Sequence, residues 1–235
     1  GNENADSLHN GGTVTAFSFN KTSGTLKMIN SQRSGGNHPC YTELDKTGQW
    51  LFAGNYSSGT VGLLHVNTDG SLDSLSQLIK HSGSGPNLQR QQSAHVHATV
   101  ISADNRYLFV PDLGMDKLVS YKFRNGRLGK CAEAVSLPGS GPRHLAFSPG
   151  QKFVYLMEEM SGMVVCYKLK RGKMKFVQRS NANLQHFTGA TGAADIHVSP
   201  DGNFLYCSNR GDANNIAIFS VDKKNGKLIL VSHQS

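Results

Sequence analysis

The chain has 235 residues, 37% of them hydrophobic and 17% charged, with a formal net charge of +8 at pH 7. That length can bury a substantial core, and no apolar run approaches the length of a membrane span, so the composition speaks against a helical membrane protein. The four cysteines, Cys40, Cys131, Cys166 and Cys207, show no C-x-x-C spacing and read as small buried hydrophobes, not as disulfides or metal ligands.

Residues 12–26 read as two strands turning at Gly24 and closing on Leu26. They resemble the second half of a longer unit, and a block of about fifty residues then recurs along the rest of the chain. Each copy opens on an apolar strand, turns at a Ser-Pro-Asp-Gly-like tetrad and returns on a second apolar strand, as at residues 40–53, 96–110, 141–156 and 196–207. A third strand follows (59–66, 117–123, 162–169 and 215–221), and a Gly-x-Leu or Gly-x-Met-like hairpin leads into a fourth. The hairpins close on Leu72, Leu128, Met174 and Leu228. Alternation has period two throughout, with Gly, Asn or Asp between strands and no long helical period.

Four short antiparallel strands repeated at this length predict an all-β fold, a β-propeller of four-stranded antiparallel blades. About four and a half blades are present, so one propeller domain over residues 1–235 is expected, incomplete at both ends, with Gly1 in place of an initiator Met. Unpaired blade edges then predict self-association. Much of the positive charge falls in the third-to-fourth-strand hairpins, for example Lys168, Lys170, Arg171, Lys173 and Lys175. Those tips lack the interleaved aromatics of a base-stacking surface, which argues against nucleic-acid binding.

Strand direction sorts the chemistry. The start of the first strand and the end of the second share one face of the disc, and the turns between them share the other. The first face receives Asn37-His38, His95-Val96-His97, Pro142-Arg143-His144 and Asp195-Ile196-His197 from strand starts. From strand ends it receives Asn55-Tyr56, Asp112, Glu158-Glu159 and Asn209-Arg210. The opposite face carries only turn formers. Glu158 and Glu159 cannot project the same way, so one of them is expected to be a solvated loop charge.

Gly54-Asn55-Tyr56-Ser57-Ser58-Gly59, His95-Val96-His97, Val110-Pro111-Asp112-Leu113-Gly114, Gly141-Pro142-Arg143-His144 and Ser208-Asn209-Arg210-Gly211 together resemble the seven-bladed propeller lactonase family. That family includes propeller-type 6-phosphogluconolactonases and the carboxymuconate-lactonizing enzyme. Carried over by position, the resemblance implies a catalytic cluster of His95, His97, Arg143, Glu159 and Arg210, with no cofactor and no metal. It implies hydrolysis of a small anionic sugar lactone, most simply 6-phosphogluconolactone of the pentose phosphate pathway, with neither nucleic acid nor membrane as partner. The expected compartment is cytoplasmic, or periplasmic if a signal peptide has been removed.

Those residue types suit the chemistry. Adding water to an ester carbonyl needs a base, here Glu159 or a histidine, and donors for the developing oxyanion. Arg143 and Arg210 offer planar forks that hold a phosphate or carboxylate, or polarise the carbonyl. Two alternatives stay open: a lactonizing activity on a muconate-like substrate, and a non-catalytic propeller that binds a small anion or a protein. His95 and His97 also have metal-ligand spacing, without an evident third ligand. Structural roles compete at Arg143, Arg210 and Asp112, and His38 and His197 read as structural.

Overall fold

The computed structural model describes residues 1–4 and 11–235. A two-stranded sheet pairs β1 (Thr13–Asn20) with β2 (Thr25–Arg33). Four four-stranded antiparallel sheets follow, each built from consecutive strands. They are β3 (Pro39–Leu44), β4 (Trp50–Asn55), β5 (Thr60–Val66) and β6 (Leu72–Lys80); then β7 (Val100–Ile101), β8 (Tyr107–Asp112), β9 (Lys117–Arg124) and β10 (Arg127–Val135). The last two are β11 (Pro142–Phe147), β12 (Phe153–Glu158), β13 (Met163–Lys170) and β14 (Lys173–Asn181), and β15 (Ala193–Val198), β16 (Phe204–Asn209), β17 (Asn215–Val221) and β18 (Leu228–Gln234). These are blades of a β-propeller, with strands A to D in chain order from the axis outwards, as the repeat predicts. Among the described residues the one helical element is the short turn Pro149–Gln151.

Burial explains why these segments are strands. In the first three full blades the second strand is covered on both faces, so β4, β8 and β12 are buried almost throughout and read as continuous apolar runs. The D strands alternate and carry the charged positions that protect an outer edge. The core is a stack of layers between neighbouring sheets. One layer joins Phe52, Val61 and Leu63 to Val96, Leu108 and Val110, and another joins Tyr155, Met157 and Cys166 to Ile196, Leu205, Cys207 and Phe219. All four cysteines are free, and Cys166 and Cys207 are buried in that second layer.

The A–B turns repeat one device. Asp45 Oδ1 accepts the Trp50 N–H at 2.9 Å, and Ser102, Ser148 and Ser199 Oγ accept the Tyr107, Phe153 and Phe204 N–H at 3.0, 3.0 and 2.9 Å. Each is a side-chain oxygen closing a turn five residues on, which is why this face holds turn formers and little else.

Two recurrent features position the other face. First, every A strand gains one residue near its start. Pro39, Pro142 and Ala193 pair with Asn55, Glu158 and Asn209, and the register shifts immediately afterwards. In the second full blade the disruption goes further. The expected strand from Val96 is an isolated bridge to Asp112, and β7 shrinks to Val100–Ile101. The sequence-based boundary is corrected there, because an inserted residue breaks the ladder. The residues beside these pairs are Cys40, His97, Arg143 and Ala194, and a bulge re-aims such side chains.

Second, the last residue of each B strand is a buried polar group, and in three blades it ties its blade to neighbouring chain. Asn55 Nδ2 donates to the Ser34 carbonyl at 3.1 Å, Asn209 Nδ2 donates to the Ala182 carbonyl at 2.8 Å, and Asp112 Oδ2 meets His81 Nδ1 at 2.7 Å. Glu158 Oε2 accepts from Arg179 Nε and Nη2 at 3.1 and 2.8 Å. Glu158 is fully buried, so neither carboxylate of the pair is the solvated loop charge expected. The next residue along, Tyr56, Glu159 or Arg210, reaches the channel mouth in three blades, while Leu113 in the remaining one is fully buried.

Candidate active site at the channel mouth

Glu159 is the centre of the site. Its side chain is 7% exposed, and four cationic or imidazole groups converge on it. Arg90 Nη2 donates to Oε1 at 2.7 Å. On the other oxygen, Arg143 Nε lies at 2.9 Å, Arg210 Nη2 at 3.2 Å and His97 Nε2 at 3.9 Å. The Arg143 contact is an ion pair and not a directed hydrogen bond, because its Nε–H is left without an acceptor. Arg143 Nη1 instead donates to the Ala194 carbonyl at 2.6 Å, and Arg210 Nε donates to the Gly192 carbonyl at 3.1 Å. These backbone ties fix the two guanidinium planes.

The electrostatics follow from burial and charge. Burial alone would raise the Glu159 pKa, but the hydrogen bond and charge of Arg90, with Arg143, outweigh it and hold the carboxyl below its ordinary value. His97 is pushed down to about 3, first by burial and then by the charges of Arg143 and His144, so its imidazole is neutral at neutral pH. Its Nδ1 is buried with no partner in the fold. An unpartnered imidazole nitrogen and an unpartnered guanidinium N–H beside one carboxylate are hydrogen-bonding capacity that the protein itself does not use.

The five residues singled out from sequence divide in two. His97, Arg143, Glu159 and Arg210 come together. His95 does not reach the carboxylate: it is stacked on Tyr56 at 4.5 Å between centroids, with Nδ1 3.1 Å from the Tyr56 carbonyl oxygen. His97 meets the same ring edge-on at 5.4 Å, so Tyr56 joins the two histidines. Asp112 takes its loop-shaping role, accepting the His95 and Met115 N–H at 2.8 and 3.1 Å. Its other oxygen belongs to a buried chain in which His81 Nε2 lies 2.7 Å from the Tyr121 hydroxyl.

Arg90 and Tyr56 complete the cluster and were not picked out as functional by sequence. Tyr56 stood at a strand end like its counterparts. Arg90 lies outside the strand pattern, between β6 and β7, where the sole signal is a longer repeat. Beneath His97, His144 packs edge-on at 5.3 Å and contacts Asp195 Oδ1 through Nδ1 at 2.9 Å. His144, Asp195, His197 and Tyr41 line a cavity of about 280 Å³ in the channel. His197 is held on the second Asp195 oxygen at 3.0 Å. Among the described residues no group of three or more His, Cys, Asp or Glu is placed to hold a metal ion.

Comparison with known proteins shows the family. A family model described as lactonase, 7-bladed beta-propeller, matches residues 2–235. A 6-phosphogluconolactonase of Formosa agariphila is 38% identical over 234 residues, covering 97% of this chain and 66% of that protein. One from Bacillus subtilis is 37% identical over 226 residues, covering 95% and 64%. The structure of a periplasmic gluconolactonase from Pseudomonas aeruginosa superposes with a TM-score of 0.88 at 38% identity, covering 95% of this chain and 64% of that one. The chain thus spans just under two thirds of the length of these relatives.

Proposed function

Because the chain belongs to the seven-bladed β-propeller lactonase family, we propose that the intact protein hydrolyses an anionic sugar lactone, 6-phosphogluconolactone before others, to the open-chain acid. The observation that carries this reading is the single buried carboxylate ringed by Arg90, Arg143, Arg210 and His97. Relatives named 6-phosphogluconolactonase support the choice of substrate.

The chemistry assigns a role to each group. Water adds to the lactone carbonyl carbon, and Glu159 takes the proton that this water loses. The carbonyl oxygen gains negative charge, and Arg143 with its free Nε–H and Arg210 stabilise it from fixed positions. When the tetrahedral adduct collapses, the ring C–O bond breaks and the departing ring oxygen receives the proton from Glu159. His97, neutral and with a free Nδ1, orients the water or a sugar hydroxyl. A lactone of this kind also opens spontaneously, so the rate increase required is modest.

No helix of the described residues is long and apolar enough to cross a membrane. A phosphorylated substrate does not cross membranes freely, which supports a cytoplasmic site of action; the periplasmic relative from Pseudomonas aeruginosa is the contrasting case. We further infer that the 235-residue chain taken alone associates through its sheet flanks.

The test is hydrolysis of 6-phosphogluconolactone by the intact natural protein, followed with a coupled dehydrogenase against the spontaneous rate. Turnover above background that falls about a hundredfold or more in Arg143→Ala is expected. Turnover unchanged in a folded Arg143→Ala protein removes that arginine from the mechanism, and a folded intact protein with none above background overturns the reading.

A further inference from the structure

Arg90 differs from the other two arginines on Glu159 in where it comes from and in how it is held. It lies on the turn formed by residues 87–91, inside the segment that joins β6 to β7. That turn is fixed at its base: the Gln89 and Arg90 N–H donate to Asn87 Oδ1 at 3.0 Å each, and the Gln91 N–H donates to the Asn87 carbonyl at 2.7 Å. Gln91 is fully buried and anchors the turn by donating from Nε2 to the Leu113 carbonyl and to Asp116 Oδ1, both at 2.8 Å. The Arg90 backbone is therefore set, while its side chain spans open space to the carboxylate.

The guanidinium of Arg90 is 45% exposed above a carboxylate that is 7% exposed. It makes the single hydrogen bond to Oε1, and its other neighbour is the Tyr56 hydroxyl at 3.5 Å, near the limit of a hydrogen bond. Arg143 and Arg210 each keep a backbone carbonyl when they let go of Glu159; Arg90 keeps none. Arg90 is thus the least constrained of the three, and at 45% its side chain is open to solvent, as is that of the tethered Arg210 at 53%.

Its position is also obstructive. A carboxylate oxygen that accepts from a guanidinium has one lone-pair site fewer for a water, and the opposite charge weakens it as a base. A phosphate on the incoming sugar carries about −1.5 to −2 charges and three acceptor oxygens, so it competes for an exposed guanidinium better than one carboxylate oxygen does.

We propose that Arg90 is the residue that reads the phosphate of the substrate, and that binding moves its guanidinium from Glu159 to that phosphate, freeing Oε1 to accept the proton of the attacking water. This rests on the lactonase reading above. The exchange makes and breaks no covalent bond, and Arg90 stays protonated throughout. The phosphorylated lactone thereby activates its own base, while an unphosphorylated lactone meets a base still capped by Arg90.

The experiment uses the intact natural protein with Arg90→Ala and Arg90→Lys variants. The kcat/KM for 6-phosphogluconolactone is compared with that for glucono-δ-lactone, and calorimetry measures binding of 6-phosphogluconate and gluconate. In Arg90→Ala the preference for the phosphorylated lactone is expected to drop roughly tenfold to a hundredfold, the worth of one charge-assisted hydrogen bond. Affinity for 6-phosphogluconate falls by a similar factor and that for gluconate falls less. Arg90→Lys, which keeps the charge and loses the fork, is intermediate. Equal losses toward both lactones and both acids overturn the proposal, since a mere brace for Glu159 has no preference for phosphate. Should the wild type turn over neither lactone, the hydrolase reading falls while calorimetry still decides on Arg90: selective loss of 6-phosphogluconate binding upholds it, and no difference between the two acids overturns it.

Discussion

Glu159 sits between opposed influences: burial works to protonate it, and Arg90 and Arg143 work to keep it ionised and prevail. Its folded pKa lies below the ordinary 4.5, so the stability its ion cluster contributes is fully present above that value and is lost as pH falls through the folded one. His97 acts over a different window. With its pKa lowered from 6.5 to about 3, the unfolded chain takes up its proton first, and stability declines as pH falls from 6.5 toward 3. Thermal melts of the wild type should therefore lose Tm across that window, and His97→Asn should lose less. The same values predict the rate profile. Measured with glucono-δ-lactone, so that no substrate phosphate titrates, kcat/KM should show no inflection near the ordinary histidine value of about 6.5. An inflection there that vanishes in His97→Asn would contradict a permanently neutral imidazole. Glu159→Gln keeps the shape of the side chain and removes the base, so a loss of about a hundredfold or more is expected with the fold intact by circular dichroism.

Within a blade, adjacent residues at the end of strand B divide the labour. Glu158 turns into its own blade, to Arg179 two strands away and to Ser161, whose Oγ donates to Oε2 at 2.9 Å, and Glu159 turns to the channel. Glu158→Ala should leave the Arg179 charge without its partner and destabilise the protein by about 3–5 kcal/mol. Urea unfolding measures this, and a midpoint shift no larger than that of Glu159→Ala would refute the division. Sequence foretold one direction for each carboxylate because neighbours on a strand alternate, yet it placed one of them in solvent. What it lacked was the partner: Arg179 lies a full hairpin away on β14 of the same blade, and nothing local to Glu158 announces it. The strands themselves were legible because period-two alternation and five-residue turns are local signals. The extra residue in each A strand was not, since one insertion looks the same in sequence as a change of register. Val96 therefore read as the start of a strand that the structure reduces to a single bridge. Arg90 was illegible for the same physical reason, because a turn between strands carries no periodicity that would aim its side chain.

Across the whole molecule, the repeat predicted layers, and the layers now identify two flanks that water meets. On the first, the cross-strand pairs Phe17–Met28 and Phe19–Leu26 lie side by side on β1 and β2, all four more than half exposed. On the second, β16 and β17 bury Leu205, Cys207, Ala217 and Phe219 on one face and leave Phe204, Tyr206 and Ile216 substantially exposed on the other. A sheet that is apolar on both faces has the composition of an inner layer, one that other residues cover. The family fold has seven blades, and these residues supply four sheets and half of a fifth. Taken alone, then, the 235-residue chain should bring its first flank against the second flank of another copy, a heterologous contact that need not close into a ring. The exposed side chains in that contact are apolar, so added salt should not dissolve it, whereas an association held by opposite surface charges would be screened, the Debye length being about 8 Å at physiological ionic strength. Sedimentation velocity across a concentration series tests both points. Species larger than the monomer that persist at high salt are expected, and Phe17→Ser with Phe19→Ser should shift them toward monomer. A monodisperse monomer at every concentration would show that these flanks do not bind one another.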